Sequence, residues 1–329
     1  MNIIVDAMGG DYAPLEIIKG CALATSELGI QITLVGNQQV INDCISENNI
    51  CINNYSVIDC EDIISMEEHP DSILKEHKNS SMALGLKALA EGKGDAFVSA
   101  GNTGALVVGS TLFTKRIKGV KRAALAPLLP TNADRDVLLL DSGANVECTP
   151  QMLAQFAVQG NEYVKSVLNI DKPRIGLLNV GTEESKGSPL QKDAYDLLKK
   201  LDLNFIGNVE ARDILSGVCD VCVTDGFSGN IFLKATEGAC SVLLKNIKRI
   251  LKKNFITILS SLPLMGGLKQ LAKKMDYTER GGAPLLGISK PVIKAHGNSN
   301  AKSFYGAIKQ ANNFAQSNTI ENISNVLKG

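Results

Sequence analysis

Short apolar runs alternate with longer stretches whose apolar positions recur every three or four residues, almost from one end of the chain to the other. The short runs predict strands at residues 2–6, 31–35, 55–59, 96–99, 124–128, 137–141, 174–178, 205–206, 218–223 and 292–295. The longer stretches predict helices at 14–28, 38–48, 72–91, 103–113, 150–168, 189–201 and 299–315. Pro14, shortly after Asp11, stands where a proline suits a first helical turn. The run Val137-Leu-Leu-Leu-Asp141 is apolar at successive positions, as expected of a parallel strand covered on both faces. This alternation predicts an α/β fold with a doubly wound, mainly parallel sheet. With no repeat and no linker rich in Pro, Ser or charge, residues 1–329 read as a single α/β domain carrying one appendage.

The appendage is a helical hairpin at about 229–282. Leu243, Ile247, Ile250, Leu251, Phe255 and Ile258 keep helical spacing, while Lys245, Lys248, Arg249, Lys252 and Lys253 crowd the positions between them. The apolar turn Leu259-Ser-Ser-Leu-Pro-Leu-Met-Gly-Gly267 then leads into a second basic helix with Lys269, Lys273 and Lys274. Three readings fit together: a dimer interface with a solvated basic face, membrane-surface contact by the tip, and docking of an acidic protein by the basic residues.

Charge narrows the partners. With 34 basic and 34 acidic residues the chain is no general nucleic-acid binder, and at 44% hydrophobic it can build a substantial core. The start, Met1 to Asp11, lacks the order of a secretory signal, and no uncharged run approaches the ~20 apolar residues of a membrane span. A soluble, intracellular protein is expected. The eight cysteines are scattered in mostly apolar settings; Cys219 and Cys222 are three apart in a strand-like run, which suits buried thiols better than a chelate or a disulfide.

Candidate chemistry lies where the predicted strands end. Six of them open into turns rich in Gly, Asn, Ser and Thr: Asp6 to Asp11, Ala100-Gly-Asn-Thr-Gly104, Ser142-Gly-Ala-Asn145, Gly181 to Gly187, Asp225 to Asn230, and His296-Gly-Asn-Ser-Asn300. In open α/β sheets ligands bind at the carboxyl ends of the strands, and such turns offer N–H and hydroxyl donors to anions. No P-loop, no GxGxxG after the first strand, no GxSxG elbow and no cysteine in a nucleophile setting are present. From the residues alone the reading stops at a small-anion transferase with no obvious covalent nucleophile. No His/Asp/Glu cluster at ligand spacing calls for a metal.

In these segments the chain resembles the phosphate acyltransferases of bacterial phospholipid synthesis, the PlsX family. The likeness rests on Asp6-Ala-Met-Gly-Gly-Asp11, Ser99 to Gly104, Asp141 to Asn145, Asn179 to Gly187, Asn208 to Arg212, Thr224 to Asn230 and Ala295 to Ser299, in family order and spacing. It implies a fold similar to phosphotransacetylases and isocitrate/isopropylmalate dehydrogenases, usually in a homodimer. It implies transfer of a long-chain acyl group from acyl carrier protein to inorganic phosphate, without a cofactor. The product would feed a membrane glycerol-3-phosphate acyltransferase, with the enzyme cytoplasmic and peripherally associated with the membrane. On this view Lys186, Asn230 and His296 are the expected catalytic residues. Asn102, Thr103, Gly104, Ser142, Gly143, Asn145, Gly229 and Asn298 are the expected substrate contacts. Lys245, Lys248, Arg249, Lys252 and Lys253 would dock the carrier, and Leu259, Leu262, Leu264 and Met265 would meet the membrane. Asp6, Asp11 and Asp225 are expected to tie loops together, since a carboxylate repels an anion. A phosphotransacetylase-like enzyme using acyl-CoA and a non-enzymatic membrane scaffold are the alternatives.

Overall fold

The computed structural model describes residues 1–133, 135–275 and 281–328. Among the described residues twelve strands are seen: β1 (Asn2–Asp6), β2 (Gln31–Gly36), β3 (Tyr55–Asp59), β4 (Ala96–Ser99), β5 (Ala124–Leu125), β6 (Leu128–Leu129), β7 (Val137–Leu140), β8 (Ile175–Asn179), β9 (Phe205–Glu210), β10 (Val221–Val223), β11 (Ala283–Leu286) and β12 (Val292–Lys294). The helices are α1 (Leu15–Leu28), α2 (Gln38–Glu47), α3 (Ser81–Ala90), α4 (Thr103–Gly109), α5 (Pro150–Leu168), α6 (Pro189–Leu198), α7 (Ala211–Ile214), α8 (Gly226–Leu251), α9 (Phe255–Ser261), α10 (Met265–Met275), α11 (Ala301–Gln316) and α12 (Thr319–Val326).

The strands form two sheets. One runs β3-β2-β1-β4-β12-β11-β5 and the other β6-β7-β10-β8-β9. Pairing is parallel except at β11, β5 and β6. The stretch at 124–128, expected as one strand, divides at Ala126-Pro127: β5 pairs with β11 in one sheet and β6 with β7 in the other. Proline has no N–H to give a ladder, so the break falls beside it, and the chain crosses between the sheets there. The largest buried cluster draws on both, from Ile3 and Val98 to Leu138 and Val221.

In the first sheet β1 lies between β2 and β4, so the winding direction reverses at β1 and β4. That reversal opens a crevice at the carboxyl ends of these strands. The expected helix at 72–91 is broken: a 3-10 turn occupies Pro70–Leu74, and α3 begins after Ser80, whose Oγ accepts from the Ala83 N–H. Strand β11 and helix α12 were not expected from the sequence.

The hairpin leaves the body early. Only Gly226 and Gly229 of α8 are buried, and α9, a 3-10 turn at Leu262–Leu264 and α10 complete it. Lys245, Lys248, Arg249, Lys252 and Lys253 are all exposed, as are Ile258, Leu264 and Met265. The side chains of Leu259 and Leu262 lie outside the described residues. No helix among the described residues is long and apolar enough to cross a membrane.

Candidate active site

Two buried carboxylates organise the strand ends. Asp6 accepts from Ser81 Oγ at 2.7 Å, Ser99 Oγ at 2.7 Å and the Met8 N–H at 3.2 Å. Ser99 Oγ accepts in turn from the Gly101 N–H at 3.0 Å. Asp141 accepts the N–H groups of Leu125, Gly143, Ala144 and Asn145 at 3.0, 3.2, 3.1 and 2.7 Å, and Asn145 Nδ2 at 2.9 Å. Burial pushes both carboxyls up from the usual carboxylate range, against the pull of these donors. The loop amides after β4 and β7 therefore turn inward. Those after β7 serve Asp141, and the Gly101 amide after β4 serves the Ser99 hydroxyl, which itself donates to Asp6.

Beside these loops, at the carboxyl ends of β4, β7 and β12, lies a cleft of about 480 Å³ bounded by the first turns of α8. Of the expected residues it gathers Thr103, Ser142, Gly143, Asn230 and His296. Gly143 has φ +136°, which L side chains rarely adopt, and a Cβ built there would sit 3.7 Å from the Asn230 amide. Ser142 Oγ donates to the Leu125 carbonyl at 3.1 Å, which ties the loop to β5.

The other expected contacts have different work. Asn102 caps α4 by accepting the Ala105 N–H, and its Nδ2 donates to the carbonyls of Ser65, Met66 and Glu68 at 3.3, 3.2 and 2.9 Å. It fastens the 65–68 segment, which places Met66 on the cleft wall. Asn145 Nδ2 is held by Asp141 and the Ala123 carbonyl. Gly104 packs on Pro70, and Gly229 on the 141–145 loop, where an added Cβ would lie 1.9 Å from the Asp141 carbonyl. Asn298 is exposed, its N–H donating to His296 Nδ1 at 3.4 Å. Lys186 is exposed in the 181–187 loop and lines neither this cleft nor a second one of about 1010 Å³ under Val146, Val180, Phe227 and Ile231. Asp225 caps α8 through the Ser228 N–H at 2.8 Å.

Two cations of the cleft escape the sequence reading. Lys234, a turn beyond Asn230, pairs with Glu237 at 2.8 Å. Lys294 ends β12, only 8% exposed, and its ammonium donates to the Ala100 carbonyl at 3.1 Å and to that of Ala295. Burial brings its pKa down to about 8, with Asp6 and Asp11 opposing. Burial also lowers His296, helped by Lys234 and Lys294 and opposed by Glu237, so a neutral imidazole faces the cleft near pH 7. A charged residue inside the apolar run Val292-Ile-Lys-Ala295 was the available signal for Lys294. Leu125, Leu128, Leu129 and Leu233 give the cleft its apolar lining. Among the described residues no group of three His, Cys, Asp or Glu side chains is arranged to hold a metal ion.

The chemistry of this cleft suits an anion beside an apolar group. The family model described as "Fatty acid synthesis protein" matches residues 1–322. A phosphate acyltransferase of Thermoanaerobacterium thermosaccharolyticum is 50% identical over 98% of this chain and 96% of its own. One from Lysinibacillus sphaericus is 43% identical over 100% of this chain and 98% of its own. Among solved structures, a phosphotransacetylase from Streptococcus pyogenes superposes with TM-score 0.64 at 18% identity, covering 96% of this chain and 94% of that one. A branched-chain phosphotransacylase from Enterococcus faecalis gives 0.60 at 15% identity, covering 96% and 100%. These structures share the fold. The sequence relationship goes further: the chain belongs to the phosphate acyltransferase family and is an enzyme of that family.

Proposed function

We propose that the protein transfers a long-chain acyl group from the thioester of acyl carrier protein to inorganic phosphate, releasing acyl phosphate for phospholipid synthesis. The observation that carries this is one cleft holding two lysines, neutral donors and a leucine-lined wall at the strand ends. A phosphate oxygen attacks the thioester carbonyl carbon, a C–O bond forms, and the carbonyl oxygen becomes an oxyanion. The oxyanion then collapses, the C–S bond breaks, and the carrier leaves as a thiolate that takes a proton.

Little acid–base power is required. Phosphate is already an anion at neutral pH, and thiols ionise near about 8.5, so the sulfur leaves readily. The work is orientation and oxyanion stabilisation. Holding the reactants in register is worth on the order of 7–11 kcal/mol, and one aimed donor roughly 3–4 kcal/mol. Asn230 Nδ2 and Thr103 Oγ1 are the neutral donors for the oxyanion and phosphate. His296, its Nδ1 occupied by the Asn298 N–H, offers its Nε2 proton to the leaving sulfur. The acyl chain lies along Leu125, Leu128, Leu129 and Leu233.

The hairpin belongs to the same reading. Its exposed basic stretch from Lys245 to Lys253 suits an acidic carrier, and Ile258, Leu264 and Met265 offer apolar contact to a bilayer surface. A homodimer and peripheral attachment in the cytoplasm complete it. The test is incubation with palmitoyl carrier protein or palmitoyl-CoA, with and without phosphate, trapping acyl phosphate as the hydroxamate. Acyl phosphate from the carrier substrate is expected; faster turnover of acyl-CoA would replace the carrier with CoA. No phosphate-dependent loss of either thioester would defeat the proposal.

A further inference from the structure

Lys294 stands apart from the other charges near the cleft. An ammonium carries three N–H donors, and two of them are taken by the Ala100 and Ala295 carbonyls. Among the described residues it has no ion-pair partner, although it is buried. The carboxylate of Asp6 is spent on Ser81, Ser99 and Met8, and Asp11 is exposed at the mouth. A buried cation left in this condition is costly unless something anionic joins it. Lys234 differs, since Glu237 already neutralises it, and so does Lys186, which is exposed outside the cleft.

We propose that Lys294 is the phosphate-binding residue of the site, its remaining N–H donating to an oxygen of the attacking phosphate between the ends of β4 and β12. This rests on phosphate being the acyl acceptor. The two carbonyl bonds fix where the ammonium sits, so the anion arrives at a prepared charge beside Asn230 and Thr103 on the same cleft. The purely structural alternative, a tie between two strand ends, makes opposite demands: it needs the lysine for folding and is indifferent to phosphate.

The groups that face this ammonium are Asp6 after β1, Asp11 in the following loop, Lys234 on α8 and His296 on its own segment. His296 has its proton affinity lowered, and phosphate is fully dianionic above about pH 8, so loss of phosphate binding in the alkaline range reports Lys294. The experiment measures steady-state kinetics and thermal unfolding of the full chain and its Lys294→Gln and Lys294→Met variants, with inorganic phosphate and palmitoyl carrier protein. The expected result is a phosphate KM raised at least about thirtyfold, a thioester KM within about twofold, an unfolding temperature no lower than the parent's, and loss of its rise with phosphate. A phosphate KM within about twofold of the parent's overturns the proposal, as does loss of stability with both KM values rising together. If neither variant folds, the parent decides: its phosphate KM should rise roughly tenfold from pH 8 to pH 9.5, and a flat profile overturns the assignment. A parent that makes no acyl phosphate removes the wider reading as well; a competent parent with unaffected variants removes this inference alone.

Discussion

Asp141 and Lys294 are both buried charges at strand ends, one in each sheet, and they are treated in opposite ways. Asp141 receives five N–H donors and has nothing left to offer a ligand. Lys294 receives two carbonyls and keeps a donor toward the cleft. The saturated charge builds the loop. The unsaturated one is available for chemistry. Buried charges at strand ends therefore fall into two kinds, those whose donors or acceptors are used up by neighbouring loops and those that keep one on the cleft.

The contrast can be broken by substitution. Asp141→Ala should have the largest effect, since five donors lose their buried acceptor; a loss of about 3–5 kcal/mol by urea unfolding is expected, with activity falling in parallel. Gly229→Ala follows, at roughly 2–3 kcal/mol, because α8 must withdraw from the 141–145 loop. A fully stable Gly229→Ala protein would show that the helix approaches less closely.

Lys294→Met reverses the pattern. Its ammonium has a pKa of about 8 when folded against an ordinary 10.5, so between those values the unfolded chain binds more protons. Stability from this group must then rise as pH climbs from about 8 to 10.5, and the cost of burying the charge is fully present below pH 8. That cost is roughly 3 kcal/mol, the ceiling on what the methionine variant could gain near neutrality. The measurement is parent against variant unfolding at pH 7 and pH 10, and a gap that widens toward pH 10 contradicts the account.

The smallest effects concern surface groups. His77 sits between Asp62 at 2.7 Å and Glu68 at 2.6 Å, and Asp62 holds its pKa above the ordinary value. A raised histidine contributes stability below its unfolded pKa and loses it as pH rises through the folded one. His77→Gln should therefore be slightly destabilised at pH 6, with the gap to the parent shrinking as pH rises through the alkaline range. Lys186→Ala should reduce activity less than Lys294→Met does; the reverse order would move the anion to the 181–187 loop.

Much of the fold was legible because burial writes itself into periodicity. Ten apolar runs account for eleven of the strands, because 124–128 proved to be two strands in different sheets, a division that only Pro127 hinted at. The Ala283–Leu286 strand follows directly on the hairpin and pairs antiparallel, outside the repeating helix–strand rhythm. At the site, Thr103, Ser142, Gly143, Asn230 and His296 could be found because donors cluster after strands. What composition cannot tell is where a donor points. Asn102 and Asn145 have the residue types of ligand contacts, yet neighbouring loops use up their amides. Lys294 was missed for the converse reason: the apolar residues around it marked a strand, and its depth emerged only when β4 and β11 flanked it.

The most direct measurement is a crystal structure of the protein grown with inorganic phosphate. The account predicts a phosphate oxygen within hydrogen-bond distance of Lys294 Nζ, facing Asn230 and Thr103, with the 141–145 amides still on Asp141. Phosphate held instead by those amides or by Lys186, with the Lys294 corner empty, would contradict it.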